Sequence, residues 1–202
     1  VCAHSAKRPQ AAAMREKEFG IWQVTTWQML ESQMMTLAAG LQGLGVKRGD
    51  HVVVIGANRP RLYASMLAIQ ALGGIAVPLY QDAAAAECVF PIQNAEVRVV
   101  IVEDQEQVDK MLEVREQVPT LAHIFYHDPR GLRHYDAPGL GSLDDLQESG
   151  RQALAANPSA VRSVIESIQP DDVAAMFFTS GTTGNPKGVV HTHFTLLDRA
   201  RV

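Results

Sequence analysis

The densest run of reactive side chains lies near the carboxyl end, where Thr179, Ser180, Gly181, Thr182, Thr183, Gly184, Asn185, Pro186, Lys187 and Gly188 follow one another without a break. Three glycines let the backbone turn several N–H groups toward one point, four hydroxyls can donate to oxygens, and one lysine adds a mobile positive charge. This set suits an anion, phosphate above all. A lysine–phosphate pair about 4 Å apart at an effective dielectric near 20 gains about 4 kcal/mol before desolvation, so Lys187 contributes without sufficing alone.

The spacing departs from the G-x-x-x-x-G-K-[ST] nucleotide loop. Pro186 stands where the second glycine would be, Lys187 is followed by Gly188 rather than by a hydroxyl for magnesium, and the chain runs on into Val189–Thr192, a strand-like stretch instead of a helix. A bare hairpin turn is the plainest alternative for any Gly, Ser and Thr cluster; the ordered length of this one weighs against it.

Other candidates carry less. His191 and His193 would share one face of a strand, but a histidine pair without a third ligand reads as structural. Trp22 and Trp27 read as hairpin and core anchors, and Met29, Met34 and Met35 as helix packing. Asp144 and Asp145 are adjacent and cannot face each other on a helix, so no general acid–base pair emerges. Cys2 and Cys88 lie far apart with no metal-ligand spacing, which fits a reducing cytoplasm.

The elements that must hold the loop are legible in the apolar pattern. Ala12–Arg15 and Ile21–Thr25 form a hairpin turning at Phe19 and Gly20, and from Thr26 the stripe Leu30, Met34, Leu37, Leu41, Leu44 predicts a helix ending at Gly45. Apolar strands follow at Val52–Ile55, Ile75–Leu79, Val97–Val102 and Leu121–Tyr126. Helices lie between them: one opened by Asn58 and Pro60 and running through Leu72, one reaching Asn94 with a kink at Pro91, and one over Asp104–Glu116. Repeated strand–helix–strand units predict an α/β fold, a layered and mostly parallel sheet flanked by helices. Residues 127–141 read as an exposed loop, after which Ser142 caps a helix with Asp145 in the reciprocal position. Ala174–Phe178 is the strand that delivers the chain to the loop, and His193–Val202 begins a helix whose Phe194, Leu196 and Leu197 lack a partner.

Composition narrows the classes. The 202 residues are 47% hydrophobic and 20% charged, as in a folded globular chain, and 18 Lys and Arg against 22 Asp and Glu give a net charge of −4, which offers no footprint for nucleic acid. No apolar run reaches the roughly 20 residues of a membrane span, and no signal peptide is evident. Val1 and the abrupt final helix predict a fragment cut at both ends, and its unpaired edge predicts self-association.

Phe178–Gly188 (FTSGTTGNPKG) resembles the phosphate-binding signature of the adenylate-forming superfamily of acyl-CoA synthetases, luciferases and adenylation domains. The resemblance extends through Gly45–Asp50 (GVKRGD), Gly73–Tyr80 (GGIAVPLY) and Asp171–Asp172, over most of the chain. Phe19–Trp27 (FGIWQVTTW), Tyr80 and Val102–Gln107 (VEDQEQ) look most like bacterial long-chain fatty-acid–CoA ligases. The resemblance implies an incomplete N-terminal domain spanning 1–202, divided into hairpin and helix (1–45), βαβ repeats (46–170) and strand–loop–strand (171–202). It implies ATP, Mg2+ and coenzyme A as the participants, with a fatty acid as substrate. The ATP phosphates would meet Thr179, Ser180, Gly181, Thr182, Thr183, Gly184 and Lys187. The family's later tyrosine–glycine–x–threonine–glutamate motif, ribose-binding aspartate and adenylation lysine have no counterpart before Val202, so no catalytic or metal residue is assigned and the chain alone is expected to be inactive. Ligases for short-chain, aromatic or amino acids, and a noncatalytic nucleotide-binding or scaffolding module, are the alternatives.

Overall fold

The computed structural model describes residues 1–179 and 186–199. A short helix, α1 (Cys2–Lys7), which no periodicity announces, precedes an antiparallel hairpin of β1 (Ala12–Glu18) and β2 (Ile21–Thr26). Phe19 and Gly20 turn it with φ of 47° and 83°, the left-handed pair that a two-residue hairpin connection favours. The hairpin is a two-stranded sheet of its own, and Trp22 is 63% exposed on it rather than serving as an anchor. Trp27 packs on His4 with ring centroids 4.4 Å apart and the planes tilted by 38°.

Thr26 starts α2 (Trp27–Gly43), its Oγ1 accepting from the Met29 N–H at 3.3 Å. The stripe from the sequence is the buried one through Leu30, Met34, Leu37 and Leu41, while the helix stops at Gly43, two residues short of Gly45, and leaves Leu44 half-buried at its C-cap. The chain then alternates β3 (His51–Ile55), α3 (Pro60–Ala71), β4 (Ile75–Leu79), α4 (Ala85–Asn94), β5 (Val99–Val102), α5 (Gln105–Val114) and β6 (His123–Tyr126). The N-cap of α3 is Arg59, one residue beyond the expected Asn58, and α4 continues through a buried Pro91. There follow β7 (Leu140–Ser142), α6 (Leu143–Ala156), α7 (Ala160–Ser167), β8 (Val173–Thr179), β9 (Lys187–Thr192) and α8 (His193–Arg199).

Seven strands form one sheet in the order β7-β6-β5-β3-β4-β8-β9, parallel throughout except for the antiparallel β8–β9 pair. The layered α/β expectation is borne out. Alternate residues of each central strand feed opposite cores: Val52 and Val54 pack with α2, α3, α6 and α7, while Val53 and Ile55 pack with α4 and α5. Where α2 crosses α6 the backbones almost touch, since a Cβ on Gly150 would stand 1.8 Å from the Thr36 carbonyl oxygen.

Residues 127–141 are not simply an exposed loop. Leu132 is buried in the second core, and Leu140–Ser142 adds an edge strand paired with Ile124, Phe125 and Tyr126. Three residues with a central glycine give too short an alternation to read from sequence. Ser142 caps α6 as expected, its Oγ accepting from the Asp145 N–H at 3.0 Å, but the reciprocal half differs: the Asp145 carboxylate accepts from the Ser142 hydroxyl at 2.6 Å rather than from its backbone N–H.

Candidate functional site

β8 runs parallel to β4, so Thr179 emerges at the carboxyl end of the sheet, the side on which open α/β sheets hold their ligands. β9 returns antiparallel, with Phe178 opposite Gly188 and Thr179 opposite Lys187. Thr179 Oγ1 donates to the Lys187 carbonyl at 3.5 Å, closing the base of the loop. Ser180, Gly181, Thr182, Thr183 and Gly184 lie outside the described residues, so Thr179 and Lys187 are the two members of the anion-binding set with a known place. Gly188 has a packing reason: a Cβ there would come within 2.9 Å of Met176 Sδ.

Beside Thr179 the topology opens a cleft. α3 leaves β3 toward one face and α4 leaves β4 toward the other, which separates the ends of these neighbouring strands. The resulting cavity of about 520 Å³ is lined by Val54, Gly56, Ala57, Asn58, Leu62, Pro78, Leu79, Tyr80, Gln81, Asp82, Phe177, Phe178 and Thr179. Tyr80 and Thr179, 99 positions apart in the sequence, thus border one space. Sequence reasoning missed Asn58, Gln81 and Asp82. Their signal was positional, since each follows shortly after an apolar strand at the end where ligands bind.

A second, more polar cleft of about 580 Å³ lies alongside, between the hairpin tip and the ends of β5 and β6. Arg59 Nε donates to Glu103 at 2.7 Å, and this bond, ahead of burial, governs the arginine and raises its pKa. Burial holds the His127 imidazole below its ordinary pKa, and the Arg61 guanidinium adds to that shift. Arg61 pairs with Asp144 and donates to Gln147 Oε1 at 3.0 Å, so the two adjacent aspartates serve a salt bridge and a helix cap.

Two segments singled out by resemblance meet. Arg48 of Gly45–Asp50 pairs with Asp172 and donates to the Ser167 carbonyl at 2.8 Å and its hydroxyl at 3.0 Å. The Asp172 carboxyl is held below its ordinary pKa first by the Gln169 N–H and then by Arg48. His191 and His193 do not share a strand face: β9 ends at Thr192, and His193 opens α8. His191 meets the Phe177 ring edge-on at 5.4 Å, and burial lowers the pKa of His193. Among the described residues no three His, Cys, Asp or Glu side chains converge as a metal site. None of the chemistry below depends on a bound metal ion. No described helix is long and apolar enough to cross a membrane.

The profile of the AMP-binding enzyme family matches residues 2–202. A long-chain-fatty-acid–CoA ligase of Xenopus laevis is 30% identical over 182 residues, covering 90% of this chain and 24% of the relative. One of Mycobacterium bovis is 28% identical over 197 residues, covering 98% of this chain and 31% of the relative. The acetoacetyl-CoA synthetase of Streptomyces lividans superposes with a TM-score of 0.77 at 26% identity, over 97% of this chain and 30% of that one. The chain spans between 24% and 31% of the length of these curated relatives. With the match running from Cys2 to Val202, the chain belongs to the AMP-binding enzyme family.

Proposed function

We propose that the full-length protein is an ATP-dependent acid–thiol ligase acting on a long-chain fatty acid in the cytoplasm. A carboxylate oxygen attacks the α-phosphorus of ATP, giving acyl-adenylate and pyrophosphate. The coenzyme A sulfur then adds to the acyl carbon and AMP leaves, its phosphate taking the electron pair of the broken bond while the thiol proton passes to solvent. The observation that carries this reading is that Thr179 and Lys187, which flank the hydroxyl- and glycine-rich run in sequence, pair at the carboxyl end of the sheet, with Thr179 lining the cleft between the β3 and β4 ends. Charge gathers on the departing pyrophosphate in the first step, and donors fixed in advance stabilise it as it develops. Thr179, Ser180, Thr182, Thr183 and Lys187 are the groups assigned to that task, with Gly181 and Gly184 letting the backbone approach. Long-chain substrates are favoured by the naming of the two relatives above, which are 30% and 28% identical.

The test is acid-dependent formation of AMP by the full-length protein across acids of graded length. Lys187→Ala should lower kcat/KM on the order of 100-fold, as for loss of one transition-state donor. A wild-type protein that binds ATP but releases no AMP with any acid would overturn the reading in favour of a noncatalytic module. The 202-residue chain alone should release no pyrophosphate.

A further inference from the structure

We infer that Glu103 is a positioning residue for the ligand of the switch-point cleft, acting through the turn at residues 56–59 without lining the cleft itself. Its backbone is stitched to two neighbouring strand ends: the Glu103 N–H donates to the Ile55 carbonyl at 2.9 Å, and its carbonyl accepts from the His127 N–H at 3.1 Å. With the main chain so fixed, the carboxylate reaches sideways. One oxygen accepts from the Ala57 N–H, and the other accepts from Arg59 Nε at 2.7 Å. Arg59 Nη1 extends the chain to Glu16 of the hairpin at 3.5 Å.

Besides this clasp, the turn has the Arg59 N–H donating to the Ala57 carbonyl at 2.7 Å and the exposed Tyr63 hydroxyl donating to Asn58 Oδ1 at 3.2 Å, neither of which ties it to the sheet. Arg59, at the N-cap of α3, makes no side-chain cap, and Pro60 behind it has no N–H to give. The fit is close, because a Cβ on Gly56 would come within 2.9 Å of the Glu103 Cβ. Gly56, Ala57 and Asn58 form one wall of the cleft that Thr179 borders, whereas Glu103 stands behind that wall. A shift of the turn would therefore move the Gly56–Asn58 backbone and the Asn58 amide relative to whatever sits beside the phosphate loop. The side chain supplies two acceptors and a charge at once, so glutamine replaces only part of it.

This inference rests on the ligase reading for its kinetic readout, and a second readout stands apart from activity. In the full-length protein, Glu103→Ala should raise the KM of at least one of ATP, acid and coenzyme A on the order of tenfold, the scale expected for a small misplacement of a binding wall. Glu103→Gln, which keeps an oxygen for the Ala57 N–H but loses the charge facing Arg59, should fall between wild type and alanine. Hydrogen exchange at the Ala57 amide should speed up in the alanine variant while the Val53 amide stays protected. Unchanged KM for all three co-substrates, with kcat falling only as the folded fraction falls, would overturn the inference, as would unchanged exchange at Ala57. An inert wild-type protein would sink the ligase reading, and the exchange measurement would still decide the clasp.

Discussion

β3 and β8 are apolar strands that both end on the carboxyl side of the sheet, yet they are held differently. Val52, Val53, Val54 and Ile55 are all buried, sandwiched between helices on both faces. β8 is buried only at Ala174 and Ala175, its partner β9 leaves Val189 and Val190 exposed at 43% and 53%, and α8 exposes Phe194 and Leu197 at 56% and 63%. The first region is stabilised by apolar burial. The second is held by its hydrogen-bond ladder and by polar tethers such as Arg48 to Asp172. Thr179 and Lys187, two of the residues proposed to meet phosphate, belong to the second. Rigidity and chemistry are separated, with the packed half serving as the platform against which a less buried hairpin is braced.

Two substitutions of one kind should expose this difference most sharply. Gly150→Ala pushes a methyl into the Thr36 carbonyl 1.8 Å away and into the Gly40 nitrogen 2.7 Å away, both backbone atoms that cannot yield without separating α2 from α6. It should cost about 3 kcal/mol or more. Gly188→Ala meets only side chains, Met176 Sδ at 2.9 Å, which can rotate aside, and the Phe178 ring at an ordinary 3.5 Å, and should cost under about 1 kcal/mol. Urea midpoints of the two variants measure both; equal losses would break the comparison. Truncation tests the same contrast from the opposite direction. Leu37→Ala should cost about 2–5 kcal/mol, while Val190→Ala should stay within about 0.5 kcal/mol.

The contrast also explains what could be read from sequence alone. Val52–Ile55 and Ile75–Leu79 were legible because double-sided burial demands continuous apolar runs, and α2 because one buried stripe recurs with the helical period. β7 was not, since a three-residue edge strand owes its place to pairing with β6 rather than to any pattern of its own. Trp22 misled because aromatic strand residues usually have a second layer to pack on, and the hairpin face that carries it has none. The candidate site was half legible. Thr179 and Lys187 declared themselves by residue type, but Asn58, Gln81 and Glu103 owe their placement to a strand order in which β4 and β5 flank β3, and no local spacing encodes that order.

A smaller effect should come from the tether between the two regions. Arg48→Ala removes the contacts to Asp172 and Ser167 but leaves both apolar cores untouched. Amides of β8 and β9 should then exchange faster while those of β3 keep their protection and the urea midpoint hardly moves. Equal acceleration in β3 would mean that the two halves open as one unit.

The smallest effect is a pH dependence, and its sign follows from burial. Burial, then Arg61, lowers the His127 pKa, partly opposed by Asp144, Glu103 and Asp128; burial likewise lowers that of His193, opposed by Asp172 and aided by Arg48. In the folded protein both imidazoles stay neutral at a pH where the unfolded chain, with an ordinary pKa of 6.5, already takes up protons. Above that value neither residue makes stability depend on pH. As the pH falls through it the unfolded state gains protons first, so stability declines until the lowered folded-state values are reached. His127→Gln should flatten part of this acid limb in thermal midpoints taken between about pH 8 and pH 5, and His193→Gln should flatten another part. His127 sits on the packed side and His193 at the foot of β8, where its backbone N–H donates to the Asp172 carbonyl at 3.0 Å. If the two halves loosen separately, His193→Gln should change the acid sensitivity of amide exchange in β8 and β9 but not in β3, whereas His127→Gln should do the reverse. An acid limb identical in wild type and both variants would show that neither half-buried imidazole is linked to folding.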